Sequence, residues 1–235
     1  MQNLMLLLNW QFKKLFKRNE LLIEAYNRQH TPGSYGKVKK PAIAYRKNEE
    51  EILKGNPPEK YTRILPFVPG NRVLEIGAAE SVLSLLLART KEMVYALDKS
   101  EYRIQKGKEL QNTWRKRGYS VDNCCIIHGG IEDQLDLLDD VDTIIAVRVI
   151  YHFREEIDLD ELFRVFAKKV KHVVLVGNKD KSNDFYRLGG DFETSPIPFN
   201  YYATAEGMVA LLERNGFTIT EKLTEGDPIV TGTIK

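Results

Sequence analysis

The residue types between Val73 and Ser84 could hold a nucleotide-type ligand. This segment, VLEIGAAESVLS, passes from an apolar strand pattern to small residues at Gly77 and then to an apolar helical pattern. A strand, a tight turn and a helix N-terminus let backbone N–H groups approach a ligand closely, because the side chains at the turn are small. Asp98 follows about twenty residues later at the end of a second apolar strand, where a carboxylate can accept hydrogen bonds from both ribose hydroxyls.

The turn residues and the acid before them discriminate between nucleotide-type cofactors. A dinucleotide-binding turn needs later glycines that admit a pyrophosphate, but Ala79 and Val82 stand at those positions. Glu75 lies two residues before Gly77, where a carboxylate would repel a pyrophosphate but can hydrogen-bond a cationic amino-acid tail. The residues therefore favour S-adenosylmethionine, which carries an ammonium, a sulfonium and no phosphate.

At this point the chain resembles the class I S-adenosylmethionine-dependent methyltransferases. Their first motif is an acidic residue, x, Gly, x, Gly, x, Gly, and here Ala79 and Ser81 replace the second and third glycines, so a slightly wider turn is expected. Later motifs follow in the family's order: VDNCCIIHGGIED, VDTIIAVRVIYHF, HVVLVGN and TAEGMVALLERNGF. The resemblance covers roughly residues 60–235. It implies an α/β, Rossmann-like doubly wound fold with a mainly parallel seven-stranded sheet and a C-terminal antiparallel hairpin.

The resemblance also implies which residues bind the cofactor. They are Glu75, Gly77, Ala78, Ala79, Ser81, Asp98, Lys99, Gly130, Ile131, Glu132 and Arg148. Gly130 stands where the family most often has an Asp that recognises adenine, so Ile131, Glu132 and Asp133 become the candidates for that contact. The alternative is that Glu132 and Asp133 belong to a solvated loop that starts a helix.

Three residues at the end of the predicted fourth strand are the catalytic candidates: Arg148, Tyr151 and His152. Methyl transfer from a sulfonium requires a nucleophile held close to the methyl carbon, and a base when that nucleophile is a hydroxyl. The imidazole of His152 suits a general base because its unperturbed pKa is about 6.5. The alternative is a packing and hydrogen-bonding role for His152. No metal site is expected, since a Cys-rich cluster for zinc-assisted transfer is missing from the sequence.

The stretch after the predicted fifth strand indicates the class of acceptor. It reads NKDKSNDFYRLGGDFETSPIPFNYY, which is longer than an ordinary connection and rich in Tyr, Phe and Asp. Stacking aromatics with hydrogen-bonding Asp and Asn suit a carbohydrate, so we expect O-methylation of a sugar or small polyhydroxyl metabolite. Two alternatives stay open: a nucleic-acid or protein methyltransferase, and a non-catalytic partner that has lost the cofactor turn.

Composition limits the classes of protein. The chain has 235 residues, of which 43% are hydrophobic, enough for one sizeable core. A net charge of only +2 does not favour a nucleic-acid binder. Cys124 and Cys125 are adjacent in a predicted strand and point to opposite faces, which argues against a disulfide and for a reducing compartment. With no apolar run of about twenty residues, a cytoplasmic protein is expected.

Hydrophobic periodicity predicts alternating strands and helices. We expect strands near 72–76, 93–98, 123–128, 141–147, 171–177, 217–223 and 228–234. We expect helices near 81–90, 101–117, 157–169 and 204–215. This alternation favours a mainly parallel sheet covered on both faces, and the short turn before Pro228 requires the last two strands to pair antiparallel. The methyltransferase domain is predicted to span residues 59–235.

Residues 1–58 are predicted to form an N-terminal extension with an amphipathic helix and a basic lid segment. The apolar residues at helical spacing are Leu4, Leu8, Phe12, Leu15 and Phe16, and the basic residues on another face are Lys13, Lys14, Lys17 and Arg18. Such a helix lies on an anionic membrane surface, or it packs on the domain or on a second subunit of a homo-oligomer. The basic segment HTPGSYGKVKKPAIAYRKNEEE suits a lid over an acceptor with phosphate or carboxylate, or it is a solvated loop.

Overall fold

The structure is a computed structural model that describes residues 48–150, 153, 158–179 and 201–234. The strands are β1 (Arg72–Ile76), β2 (Met93–Asp98), β3 (Cys124–His128), β4 (Thr143–Val147), β5 (His172–Val176), β6 (Thr218–Leu223) and β7 (Ile229–Thr233). The helices are α1 (Glu49–Leu53), α2 (Glu59–Thr62), α3 (Val82–Ala88), α4 (Glu101–Lys116), α5 (Leu159–Lys169) and α6 (Ala205–Arg214). The predicted amphipathic helix, nearly all of the basic segment, Tyr151, His152 and most of the aromatic stretch after β5 lie outside the described residues.

The seven strands form one sheet in the order β3-β2-β1-β4-β5-β7-β6. All pair parallel except β7, which runs antiparallel to β5 and β6. This confirms the predicted doubly wound sheet with its C-terminal hairpin. The strand order reverses between β1 and β4, and in open α/β sheets the carboxyl ends of the strands at such a reversal border a ligand crevice.

Side-chain alternation along β1 divides the core between the two faces of the sheet. Leu74 and Ile76 belong to the cluster that contains the buried aromatic residues of α5 and the apolar face of α6. Val73 belongs to the opposite cluster, which includes residues of α1, α3 and α4. Because successive side chains of a strand point to opposite faces, Glu75 faces the same side as Val73, against α3.

Three of the helices begin at a residue whose side chain caps them. Ser100 caps α4, Asp158 caps α5 and Thr204 caps α6, and each side chain accepts a hydrogen bond from a backbone N–H of the first turn. These caps are the residue types that sequence alone predicts at a helix start.

The two short helices before β1 were not predicted, and both pack on the domain. Ile52 of α1 is fully buried, and its carbonyl accepts a hydrogen bond from Nε1 of Trp114 in α4 at 2.7 Å. Helix α2 places Lys60 and Tyr61 beside the carboxyl end of the sheet.

The sequence composition also gives expectations for the two cysteines, for membrane-spanning helices and for metal sites. Cys124 is buried and Cys125 is exposed, both with free thiols, as their opposite directions along β3 require. In the part of the chain that is described, no helix combines the length and apolarity of a membrane span. No group of three or more acidic, His or Cys side chains within those ranges could hold a metal ion.

Candidate functional site

A cavity of about 440 Å³ opens at the carboxyl ends of the central strands, at the reversal between β1 and β4. The predicted site residues that line it are Glu75, Gly77, Ala78, Ala79, Asp98, Lys99, Gly130, Ile131, Glu132 and Arg148. These residues come from the ends of four different strands, and the fold brings them to one place. Of the remaining candidates, Ser81 is buried and does not line the cavity, and Tyr151 and His152 fall outside the described residues.

The turn after β1 keeps a glycine-type backbone although two of its three glycine positions have side chains. Gly77, Ala79 and Ser81 all have left-handed conformations, with φ of 71°, 49° and 58°. A left-handed conformation costs a non-glycine residue roughly 1–2 kcal/mol. A side chain at Gly77 would in addition meet Cγ2 of Val149 at 2.6 Å. The backbone therefore follows the course that glycines would permit, at the expense of strain at Ala79 and Ser81.

Ser81 is accommodated by a glycine on the neighbouring helix. Its side chain is fully buried, and a Cβ at Gly107 of α4 would lie 2.9 Å from the Ser81 hydroxyl oxygen. The missing side chain at Gly107 thus makes room for the one gained at Ser81. This relation explains how the turn accommodates a side chain at position 81.

The backbone N–H groups of the turn are largely used within the protein, which corrects the expectation that they face a ligand. Gly77 and Ala78 donate to the carbonyl of Leu97 at 2.8 and 2.9 Å. Ala79 donates to the Asp98 carboxylate at 2.8 Å, and Ser81 donates to the carbonyl of Ala78 at 2.7 Å. A pyrophosphate needs several such donors, so this turn is a poor dinucleotide site. It is compatible with a cofactor that has no phosphate.

Glu75 presents a buried carboxylate to the cavity. Its side chain accepts a hydrogen bond from the Ser84 hydroxyl on α3, and the residue is only 4% exposed. Burial raises the pKa of Glu75 to about 7, although the hydrogen bonds from Ser84 oppose that shift. A cationic ligand group beside this carboxylate would be attracted to its ionised form.

Asp98 is held rigidly by the backbone around it. One carboxylate oxygen accepts the N–H of Ala79 and the other accepts the N–H of Ser100, each at 2.8 Å. Each oxygen of a carboxylate can accept more than one hydrogen bond, so both can also receive ribose hydroxyls from the cavity side.

The loop after β3 places the carboxylate of Glu132 against Gly130. A Cβ at Gly130 would lie 2.3 Å from one carboxylate oxygen of Glu132, so that carboxylate occupies the space of a side chain at position 130. Lys99 pairs with Glu132 at 2.6 Å, and both line the cavity. Burial opposes ionisation of Glu132, but the hydrogen bond and the charge of Lys99 lower its pKa overall. Asp133, the other acidic candidate, does not line the cavity.

The other end of the cavity contains the predicted Arg148 and two charged residues that the sequence analysis missed, Lys60 and Asp227. Arg148 has a left-handed backbone with φ of 54°, and its guanidinium binds the carboxylate of Asp227 through Nε at 3.1 Å and through a terminal nitrogen. Asp227 also accepts the N–H of Lys179 at 3.2 Å. This carboxylate therefore joins the ends of β4 and β5 to the β6–β7 turn.

Lys60 and an internal ion pair complete this end. Lys60 lies over the ring of Tyr61 at 4.7 Å, and burial followed by the charge of Arg148 lowers its pKa. Burial raises the pKa of Tyr61 in the same region. Glu80, in the turn after β1, is almost fully buried and lies 3.7 Å from Arg103 of α4.

One signal in the sequence could have found Asp227. Because β7 is antiparallel to β5, the turn before β7 must lie at the carboxyl edge of the sheet, where the cavity is. The short helix that positions Lys60 gives no comparable signal.

Comparison with known proteins shows where this fold occurs. No protein-family model matches the chain, and no curated protein matches it either. Two crystal structures of magnesium protoporphyrin IX methyltransferase (ChlM) from Synechocystis PCC 6803 are similar in fold. The one with bound SAH has 16% identity and a TM-score of 0.55 and covers 92% of this chain and 96% of its own. The one with bound SAM has 14% identity and a TM-score of 0.53, with 91% of each chain covered.

A third solved structure, that of EvdMO1, is similar over 83% of this chain and 49% of its own, with 16% identity and a TM-score of 0.52. Identities of this size show a shared fold. The Rossmann-like methyltransferase fold predicted from the sequence is therefore confirmed.

Proposed function

We propose that this protein is an S-adenosylmethionine-dependent methyltransferase that O-methylates a sugar or another small polyhydroxyl metabolite. The observation that carries the proposal is the row of carboxylates from Glu75, Asp98 and Glu132 along the cavity, at the ends of β1, β2 and β3. Their spacing along three adjacent strands suits, in order, an ammonium, ribose hydroxyls and an adenine amino group. The comparison structures with bound SAM and SAH support the same cofactor.

The turn after β1 supports a binding-competent site over a non-catalytic relative. Ala79 and Ser81 have the left-handed backbone that glycine adopts readily, and Ala79 lines the cavity. The turn's engaged N–H groups disfavour a pyrophosphate and leave S-adenosylmethionine as the better fit.

The chemistry follows from an electrophilic methyl group, which S-adenosylmethionine supplies when bound. The acceptor's hydroxyl oxygen forms a bond to the methyl carbon as the carbon–sulfur bond breaks, and the hydroxyl proton passes to a base. We propose His152 as that base, with Tyr151 and Arg148 as the further catalytic candidates from the segment that follows β4 in the sequence. Residues 59–235 are proposed as the catalytic domain.

The acceptor class rests on the aromatic stretch between 178 and 202, whose Tyr, Phe, Asp and Asn suit a carbohydrate. The test supplies methyl-labelled S-adenosylmethionine with neutral sugars, acidic sugars, tRNA and a mixture of unfolded proteins, and measures label in each acceptor. We expect transfer to sugars, with turnover about a hundredfold lower in His152→Ala and unchanged SAH affinity. Transfer only to RNA or protein would refute the acceptor class.

A further inference from the structure

We propose that Lys60 and Arg148 form a binding subsite for an anionic group, carboxylate or phosphate, on the methyl acceptor. The inference rests on the proposed function, because it concerns the second substrate of the same cavity. It goes further by restricting the acceptor to acidic compounds and by naming two specificity-determining residues.

The first observation is that the fold fixes Arg148 at the cavity wall. Its left-handed backbone is held by a hydrogen bond of 2.7 Å from its N–H to the carbonyl of Val176. Asp227 binds the guanidinium through Nε and one terminal nitrogen. A guanidinium has five N–H donors, so the second terminal nitrogen can donate to a ligand while the pair with Asp227 is kept.

The second observation is that a second cation converges on the same place. Lys60 lines the cavity from α2, close enough to Arg148 for the guanidinium charge to lower the pKa of its amine, after the larger effect of burial. The negative charges of Glu80 and Asp227 act in the opposite direction but do not reverse the shift. The protonated amine is thus less stable here than in water, and an anion between Lys60 and Arg148 would relieve that cost.

The third observation separates this subsite from the cofactor's position. Asp98 and Glu132 lie at the ends of β2 and β3, on one side of β1. Arg148 follows β4 on the other side of β1, and Asp227 lies beyond it next to β5. A ligand group held by Lys60 and Arg148 therefore lies across the sheet reversal from the proposed ribose and adenine contacts, where an acceptor must enter.

The experiment measures the rate at which Lys60 is acetylated by a limiting amine reagent, using mass spectrometry of the full-length protein. An amine with a lowered pKa is reactive near pH 8 because more of it is unprotonated, and a bound anion slows the reaction by favouring protonation and blocking access. Protein saturated with SAH, and the same protein without SAH, is labelled alone and with inorganic phosphate, glucose 6-phosphate, glucuronate or neutral glucose. Lys91 is the internal control, because burial also lowers its pKa but its amine binds the carbonyls of Val68 and Gly70, away from the cavity.

We expect the anions to slow labelling of Lys60 at least fivefold, whereas glucose has no effect and Lys91 is unchanged. Arg148→Gln should abolish the protection, and the matched control Arg214→Gln, which alters an arginine–aspartate pair outside the cavity, should retain it. If glucuronate protects Lys60 at a lower concentration than glucose 6-phosphate does, the acceptor's anionic group is a carboxylate. The reverse order identifies it as a phosphate.

Two results would overturn the proposal: equal labelling with and without all anions, or protection that is present without SAH and lost when SAH saturates the protein. The second would mean that the cations serve the cofactor's own carboxylate. SAH binding is measured on the same samples, so a failure to bind SAH would refute the proposed function separately. In that case the anion arms without SAH would still decide whether these two residues bind an anion.

Discussion

The buried carboxylate of Glu75 makes the stability of the ligand-free protein dependent on pH. Its pKa rises from 4.5 to about 7 on folding, chiefly because it is buried. Between these values the folded protein binds a proton that the unfolded chain does not, so the free energy of unfolding decreases as pH rises through this range. Above about pH 7 the full cost of the buried charge is present.

Replacing this carboxylate by an amide should therefore stabilise the ligand-free protein at high pH. We expect Glu75→Gln to exceed the wild type by up to about 3 kcal/mol at pH 8 and to match it near pH 4.5. Urea unfolding at the two pH values measures the difference. Glu132→Gln is the control, and we expect it to lower the free energy of unfolding at pH 8. The reason is that pairing with Lys99 lowers the pKa of Glu132, so its ionised form stabilises the folded protein. A gain in the free energy of unfolding from Glu75→Gln that is smaller at pH 8 than at pH 4.5 would contradict the account.

A second pair of residues, Gly130 and Glu132, share one space in the loop after β3. Since the Glu132 carboxylate fills the space of a side chain at position 130, one acid can substitute for the other. We expect Glu132→Ala to weaken SAH binding about tenfold, and Gly130→Asp added to that variant to recover most of the loss. Calorimetric titration of the single and double variants measures this. An unchanged affinity in Glu132→Ala would show that the carboxylate has no contact with the ligand, and equal losses in the single and double variants would show that an acid at position 130 cannot replace it.

At the scale of elements, the turn after β1 and helix α4 depend on each other through Ser81 and Gly107. Alanine in a helix interior is normally more stable than glycine by about 1 kcal/mol. Here we expect Gly107→Ala to destabilise, because its Cβ would lie 2.9 Å from the Ser81 hydroxyl oxygen. Ser81→Gly should restore stability in the double variant. Denaturant unfolding of all four proteins gives the coupling energy, and additive effects would contradict the proposed contact.

The elements themselves were largely predictable, because their signals are local. The predicted strands and main helices overlap the observed ones, since hydrophobic periodicity and caps such as Asp158 act over a few residues. Helices α1 and α2 escaped because they have only five and four residues, too few for a periodic pattern. At the second end of the cavity Arg148 was predicted, but Lys60 and Asp227 escaped because distant segments assemble this end: Asp227 is 79 positions from Arg148.

At the scale of the whole molecule, the predicted amphipathic helix lies outside the described residues, so the sequence alone gives an expectation for it. Five apolar side chains of the amphipathic pattern can contribute about 1.5–3 kcal/mol each when buried. We therefore expect deletion of residues 1–18 to lower the melting temperature or change the oligomeric state, because the helix packs on the domain or on a second subunit. Sedimentation of the intact chain with anionic vesicles at physiological salt, lost on deletion without a change in melting temperature, would support the membrane alternative instead.

The cavity depends on the sheet as a whole. Its strand order reverses between β1 and β4, and the carboxyl ends of β1, β2 and β3 bring three acidic groups to one edge. Those groups are separated by tens of residues in the sequence. Their convergence is the basis for the claim that this cavity binds S-adenosylmethionine.

Calorimetric titration of the intact protein with SAH tests that claim most directly. The comparison is between Asp98→Ala, at the cavity, and Asp142→Ala, whose carboxylate accepts the N–H groups of Asn71 and Arg72 at the opposite end of the sheet. Both variants lose a carboxylate bound to two backbone amides, so both should be less stable. We predict one-to-one SAH binding, weakened by about 1–3 kcal/mol in Asp98→Ala and unchanged in Asp142→Ala. No binding at millimolar SAH, or equal weakening in both variants, would contradict the claim.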